Sequence, residues 1–395
     1  MSTANYTGKE AAHIKHELVR AYLEPLFMII GQQTLRVSYV GYSPQPSQKG
    51  GLEQREPVSA AVPLTVMEKC HNELAERFRK NVQFRALFIE KDKGPFGRLE
   101  SFLKSESWNG VEAHCIMGDF CDLRSEILLW CGDRDFCFFF IDANEWRHIA
   151  IPYLAPLLGR PASEFLINFK FDSLLRAPGQ KSVDEHMEAI FGEVPDISDI
   201  APEQRERSLF NLYCRVLKAS APIIEDEIPR CAHMRVLDPA KDSTVCDLVY
   251  LTWNPLGIVS FMDASEQLEV EQKKARALAR QSKKVKRSRQ LELFSADRYA
   301  QEEPAVDSTK VKEYWLAKLS HAPKRFGVTE FADMLEETGW FMEEFQRAFL
   351  ELEREGKVRN LASSGMRTGD PVRYWANGNR GEFLEKIEQK RSKSK

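Results

Sequence analysis

Four short apolar runs, each separated from the next by a helical pattern, set the tightest limit on this fold. They are Phe84–Ile89 (FRALFI), Val111–Ile116, Asp135–Ile141 (DFCFFFI) and Glu164–Phe169 (EFLINF). A strand with one wet face alternates apolar and polar residues, whereas these hardly alternate. Both faces are therefore expected to be covered, as in a parallel sheet. Between the runs, Gly97–Lys104, Leu123–Trp130 and Ile149–Leu158 repeat apolar residues at helical spacing. The alternation predicts an α/β domain whose sheet carries helices on both faces. A helix over Lys15–Ile30, a strand over Leu35–Val40 and a helix over Val66–Arg79 precede it. Helices over Val183–Phe191 and Pro202–Lys218, then strands over Ala232–Leu237 and Leu248–Trp253, follow it.

The chain has 395 residues, more than one ordinary core accommodates. The pattern divides it into an α/β domain over 1–265, with a helical elaboration at about 178–225, and a basic helix and linker over 266–305. A small domain over 306–380 and a charged tail over 381–395 complete it. The small domain shows three helices, Lys310–Leu319, Val328–Glu337 and Met342–Glu355. Two strands, Lys357–Leu361 and Val372–Trp375, flank a Gly/Ser/Arg loop. Three helices and a two-stranded wing predict a winged helix.

A net charge of −3 excludes a protein that coats nucleic acid through its overall charge, so any such contact is local. No run of about 18 apolar residues suggests a membrane span. The N-terminus has no apolar signal core, which points to a cytoplasmic protein. Cys115, Cys121, Cys131 and Cys137 are separated by five, nine and five residues, and none of the eight cysteines forms a C-x-x-C pair. That spacing matches no common zinc pattern, so no metal is expected.

In parallel sheets of this kind, ligands sit beyond the carboxyl ends of the strands. The residues to interrogate are therefore Gly41–Ser47, Glu90, Asp119 and Asp142. A carboxylate at a strand end, such as Glu90, accepts two hydroxyl hydrogen bonds and suits a ribose. Its plainer reading is a solvated strand end beside Lys91. No phosphate loop of the G-x-x-x-x-G-K-[ST] kind is present, which sets aside that class of nucleotide enzyme.

The order of KHELVRAYLEPLF (Lys15–Phe27), LFIEKD (Leu87–Asp92), GDFCD (Gly118–Asp122), FFFID (Phe138–Asp142) and INFKFDSLLR (Ile167–Arg176) resembles the three-Cys-motif partner (TcmP) family. NPLG (Asn254–Gly257), QLELF (Gln290–Phe294) and ELEREGKV (Glu351–Val358) extend the match. The resemblance implies a Rossmann-like class I methyltransferase domain followed by a winged helix, with S-adenosylmethionine as cofactor. It also implies a protein partner carrying a three-cysteine iron–sulfur motif. On this resemblance Gly41, Ser43, Glu90, Asp119 and Asp142 face the cofactor. The family's first strand ends in a glycine-rich stretch like YIDGFAGPG. Here the stretch is YVGYSPQPSQKGG (Tyr39–Gly51), and EPVS (Glu56–Ser59) replaces the following GSP. Two prolines remove backbone N–H donors from the cradle, so the loop is degenerate.

The family's DPFG is DANEW here (Asp142–Trp146). Asp142, Asn144 and Trp146 offer an acceptor, an amide and a stacking face for a base amine. Alternatively the loop has drifted after losing its duty. Asn168 and Asp172 line the acceptor end of the pocket, or else fasten the strand to the next helix. His148 and His186 are candidate bases whose plainer role is packing.

Glu271–Gln290 holds nine Lys or Arg against one Glu. Lys273, Lys274, Lys283, Lys284, Lys286, Arg287 and Arg289, with Arg367 in the wing, are the candidate contacts to DNA or RNA. The glutamates of Met342–Glu355 argue against simple major-groove reading and leave protein docking as the other role. Two functions emerge: a non-catalytic methyltransferase relative that works with a partner on or near nucleic acid, and an active methyltransferase of a nucleic-acid base.

Overall fold

The computed structural model describes residues 10–42, 60–142, 145–169, 181–237, 244–288, 306–362 and 381–387. The chain forms two compact units, Met1–Asn254 and Pro255–Lys395.

The first unit is built on a seven-stranded sheet. Its strands are β1 (Arg36–Tyr42), β2 (Gln83–Glu90), β3 (Val111–Met117), β4 (Phe136–Asp142), β5 (Ser163–Phe169), β6 (Arg230–Leu237) and β7 (Thr244–Thr252). The order is β3-β2-β1-β4-β5-β7-β6. β1 pairs in parallel with both β2 and β4, and β5 and β3 extend the parallel set on either side. β7 runs antiparallel to β5 and to β6. The order reverses between β1 and β4, the switch point where a doubly wound sheet opens a crevice. This is the Rossmann-like, methyltransferase-type sheet.

Three of the runs become strands buried along most of their length, β2, β4 and β5, and every residue of β4 is buried. The fourth, β3, lies at the sheet edge and has no fully buried residue, so the expectation that both faces of every strand are covered fails there. The helices here are α1 (Glu10–Gly31), α2 (Ala61–Phe78), α3 (Lys93–Ser105), α4 (Arg124–Cys131), α5 (Ile151–Leu158), α6 (Lys181–Phe191) and α7 (Pro202–Ser220). On one face Val40, Phe139 and Ile141 pack with Leu154 of α5, Ile190 of α6 and Tyr213 of α7. On the other, Tyr22 and Phe27 of α1 meet Phe138 and Phe84, with ring centroids 6.0 and 5.6 Å apart.

Glu164 is a feature the apolar pattern hides. It is buried and accepts hydrogen bonds from Tyr22 (2.9 Å), Tyr250 (2.7 Å) and Thr252 (2.9 Å). Burial pushes its carboxyl up, while the three hydroxyls oppose that shift. The network ties α1, β5 and β7 together, because a buried carboxyl is tolerated only when its acceptors are satisfied.

The second unit starts with one long helix, α8 (Pro255–Ser288), which carries most of the basic run. Then come α9 (Ser308–Lys318), β8 (Lys324–Phe326), α10 (Val328–Thr338), α11 (Met342–Arg354), β9 (Val358–Asn360) and β10 (Glu382–Lys386). The strands form an antiparallel sheet in the order β8-β10-β9. Trp315 is fully buried against Phe326, Phe345 and Phe349, and its indole donates to the Phe345 carbonyl at 3.0 Å. β10 lies where the sequence suggests the start of a charged tail. Phe383 alternates with the buried Glu382 and Leu384 there, a period of two too short to stand out among charges. Gly381 makes the turn into it at φ +93°, where a Cβ would stand 2.4 Å from the Phe326 oxygen. Only glycine fits such an approach. The expected strand Val372–Trp375 lies outside the described residues.

Candidate functional site

The carboxyl ends of β1, β2, β3 and β4 bring the candidate residues to one rim. Tyr42, the last residue of β1, stands level with Ile89 on β2 and Ile141 on β4. Glu90 and Asp142, one residue further on, therefore flank the end of β1. Asp119 follows β3 beyond Gly118 and Met117, and Met117 pairs with Glu90.

Glu90 is 2% exposed, and its Oε1 accepts the Asp92 N–H at 2.9 Å. Asp142 is buried and accepts a hydrogen bond from the Asn168 side-chain amide, its neighbour in register on β5. The amide oxygen of Asn168 is buried without a hydrogen-bond partner. Trp146 lies in a single 3-10 turn (Trp146–His148) and meets the His186 ring edge-on at 4.7 Å. Gly41 lies inside β1 rather than beyond it. A Cβ there would stand 2.8 Å from the Tyr39 ring and 3.2 Å from Phe88. Its missing side chain makes room for the core. Ser43, Asn144 and Asp172 lie outside the described residues.

Asp119 holds the centre of the rim. Its Oδ1 accepts from the Cys121 N–H at 2.9 Å and from Arg147 at 2.6 Å, and its Oδ2 lies 3.2 Å from His148 Nε2. Burial pushes this carboxyl up, but the bonds from Arg147, Cys121 and His148 outweigh it and hold it below its ordinary range. His148 is fully buried. Desolvation lowers its pKa against the pull of Asp119. Its Nδ1 has no hydrogen-bond partner.

The Tyr42 hydroxyl lies 3.2 Å from the same Nε2. Its ring stacks on Phe120 with centroids 5.3 Å apart and meets His148 edge-on at 4.8 Å. Burial, then Asp119, raises the phenol well above its usual range. Lys91 and Glu145 form an ion pair at the same rim. Their mutual hydrogen bond raises the amine and lowers the carboxyl.

On the roles the family resemblance implies, the described residues fit S-adenosylmethionine poorly. The oxygens of Asp119, the expected contact to the adenine edge, are engaged by Arg147, Cys121 and His148. The Tyr42 phenol packs at the end of β1, and residues 43–59 that follow lie outside the described residues. The sequence does not single out Tyr42, Phe120 or Arg147, and it points to Cys121 only as one of four cysteines whose spacing fits no zinc pattern. The signal for Tyr42 is its place beside Gly41 at the last strand position. The others read as ordinary fillers between acidic residues.

A cavity of about 860 Å³ opens at the opposite, amino ends of the strands, bounded by Arg36, His71, Gln83, Trp108 and Asp135. The switch-point geometry and the convergence of polar groups favour the carboxyl rim.

In the second unit, the first cations of the basic run are taken up locally. Lys274 pairs with Glu271 at 3.0 Å, and Lys273 with Glu269 at 4.0 Å. Arg276, 4% exposed, reaches Glu269 at 3.5 Å. The side chains of Lys283, Lys284, Lys286 and Arg287, and all of Arg289 and Arg367, lie outside the described residues. The glutamates of α11 are turned to structural use. Glu344 caps the Phe341 N–H at 2.8 Å, while Glu351 and Glu355 hold Lys312 at 2.7 and 2.8 Å. Glu343, Arg347, Leu350 and Arg354 are exposed. Spaced four, three and four residues apart, they share one face of the helix.

No family model matches the chain, and no curated protein matches it. Among solved structures, a DUF574 family protein from Streptomyces avermitilis is similar at 11% identity over 63% of this chain and 92% of that one, with a TM-score of 0.31. Human methyltransferase-like protein 13 in complex with SAH is similar at 14% identity over 52% and 91%, with a TM-score of 0.24. A dimethyladenosine transferase from Plasmodium falciparum is similar at 13% identity over 84% and 96%, with a TM-score of 0.23. Likeness at this level names neither a substrate nor a partner for this chain.

Proposed function

We propose that this chain is a TcmP-like protein whose methyltransferase-type domain no longer takes up S-adenosylmethionine and which acts with a protein partner on or beside nucleic acid. The observation that carries the reading is the self-occupied rim. Tyr42 stacks on Phe120 and contacts His148, and Asp119 is engaged by His148, Arg147 and Cys121. A nucleoside that takes over the Asp119 carboxylate has to break the charge-assisted bonds its Oδ1 accepts from Arg147 and the Cys121 N–H, each worth roughly 1.5–3 kcal/mol. The degenerate loop at Tyr39–Gly51 points the same way.

The helix–strand–helix–helix–strand–strand order of the second unit supports a winged-helix-type module. The nucleic-acid leg rests on the outward pair Arg347 and Arg354 on α11 and on the cations beyond Arg276. The partner leg rests on the family resemblance, which implies a protein with a three-cysteine iron–sulfur motif. Capture of such a protein by this chain from its native host is the corresponding test.

Calorimetric titration of the full chain with S-adenosylmethionine and with its demethylated product tests the central claim. No saturable heat is expected from either. Micromolar binding that disappears in Glu90→Ala would overturn it. That outcome would favour the second reading, an active methyltransferase of a nucleic-acid base. The buried Glu90 and the unpaired Asn168 oxygen beside Asp142 are the features that speak for it.

A further inference from the structure

One hydrogen cannot serve the contacts that meet at His148. Asp119 Oδ2 and the Tyr42 hydroxyl each lie 3.2 Å from the same ring nitrogen, Nε2. If Nε2 carries the proton, it donates to Asp119, and the phenol hydrogen then points at an N–H. If Nε2 is bare, the phenol donates to it, and the carboxylate faces a lone pair. Cys121 adds a fourth donor: its sulfur, a ring nitrogen of His148 and a carboxylate oxygen of Asp119 all lie within 4.8 Å of one another.

We infer that Asp119, Cys121 and His148, completed by the Tyr42 hydroxyl, form a binding site for a divalent cation of the zinc class. A cation at their centre meets lone pairs from all four groups, and His148 then keeps its proton on Nδ1. Metal bonds of about 2.0–2.3 Å in a tetrahedron put ligand atoms about 3.3–3.7 Å apart. The two 3.2 Å separations are close to that. One thiol, one imidazole and one carboxylate suit a borderline cation better than calcium or magnesium, which prefer all-oxygen shells.

The carboxylate's supporting shell is also in place. Arg147 and the Cys121 N–H hold Oδ1 of Asp119 and leave Oδ2 for the cation, as second-shell partners of ligating carboxylates do. The donors sit at the end of β1, in the turn between β3 and α4, and in the 3-10 turn. The Asp119 side chain is 15% exposed, so a path from solvent exists. Binding converts the Cys121 thiol to thiolate with release of one proton to solvent. The site lies on the rim that the reading above takes as closed to a nucleotide, but its four donors do not require that closure.

The test uses the full chain, freed of metal by chelation and titrated with zinc(II), then with cobalt(II) as an optical probe. One zinc per chain is expected, with a thiolate-to-cobalt absorption that vanishes in Cys121→Ser. Zinc affinity should fall on the order of a hundred-fold in Cys121→Ser and in His148→Gln. The rival thiol is Cys214, which hydrogen bonds from Cys231 and His233 push down to about 6. Cys214→Ser should leave the absorption intact. A wild-type chain that retains no zinc or shows no thiolate–cobalt band overturns the inference, and this readout needs no variant to fold. A band that survives Cys121→Ser but is lost in Cys214→Ser overturns it as well. Titration of the same sample with S-adenosylmethionine separates the two claims. Zinc binding together with nucleotide binding sinks the closed rim alone. Neither binding sinks the metal site alone.

Discussion

At the scale of single residues, His148 shows how burial changes a side chain that looks unremarkable in sequence. It is fully buried, its Nδ1 has no partner, and desolvation lowers its pKa below the ordinary value. Such a group is neutral in the folded chain and gains a proton more readily when unfolded. Its contribution to stability is present above the unfolded value of about 6.5. As pH falls below that value, the unfolded chain binds the extra proton and the contribution is lost down to the folded pKa. Denaturant unfolding of metal-free protein between pH 7.5 and 5 should therefore show a loss of stability that His148→Gln reduces. Equal pH slopes in the two proteins would show that the imidazole is not held neutral. The comparison must be with the parent chain, because burial raises Asp247 to about 7, and that shift acts in the opposite sense. Asp119 and Glu90 stand out in sequence because each ends a strand pattern. The partners that engage Asp119 do not stand out, since Arg147 and His148 lie some 28 residues away and meet it only through the sheet.

At the scale of elements, β2 and β4 were legible because burial along the strand leaves an apolar run, whereas β3, an edge strand with no buried residue, was legible from its place between helical patterns. The second unit was harder. Its third helix looks acidic in composition, yet Glu344, Glu351 and Glu355 are used in capping and in pairing with Lys312. The outward face is left to Glu343, Arg347, Leu350 and Arg354. Composition cannot tell an inward-turned charge from a solvated one, because long side chains reach partners across elements. Glu266 illustrates the same limit. On α8 it accepts the Glu343 N–H at 3.1 Å, near the start of α11. Burial raises its carboxyl to about 7. A carboxyl raised in the folded state contributes stability below its unfolded pKa of about 4.3 and loses it as pH rises through the folded value. Glu266→Gln keeps an acceptor and removes the charge. At pH 8 it should stabilise the second unit by on the order of 1 kcal/mol, after allowance for solvent screening. At pH 5 the gain should shrink. An unchanged or lower melting temperature at pH 8 would contradict this account of the cap.

At the scale of the whole molecule, the candidate residues fall in two separate units. The carboxyl rim belongs to Met1–Asn254, and the basic helix belongs to Pro255–Lys395. With a net charge of −3, the chain as a whole repels a polyanion weakly, so any affinity for nucleic acid has to come from a few phosphate contacts. Lys273, Lys274 and Arg276 are already answered by Glu269 and Glu271. Of the other six cations of the run, Lys283, Lys284, Lys286 and Arg287 are the ones proposed to contact phosphates. Each phosphate neutralised on duplex DNA adds about 0.9 to the slope of log affinity against log salt. Replacing those four residues by Gln should therefore flatten the slope by at most about 3.6, measured by fluorescence anisotropy on a labelled duplex. Arg347→Gln with Arg354→Gln should flatten it by at most about 2, if both reach phosphates. A slope unmoved by either set would leave the second unit without an electrostatic role on DNA. It would shift the weight of the Arg347–Leu350–Arg354 face toward a protein partner, because one apolar residue between two guanidinium groups suits an interface as readily as a groove.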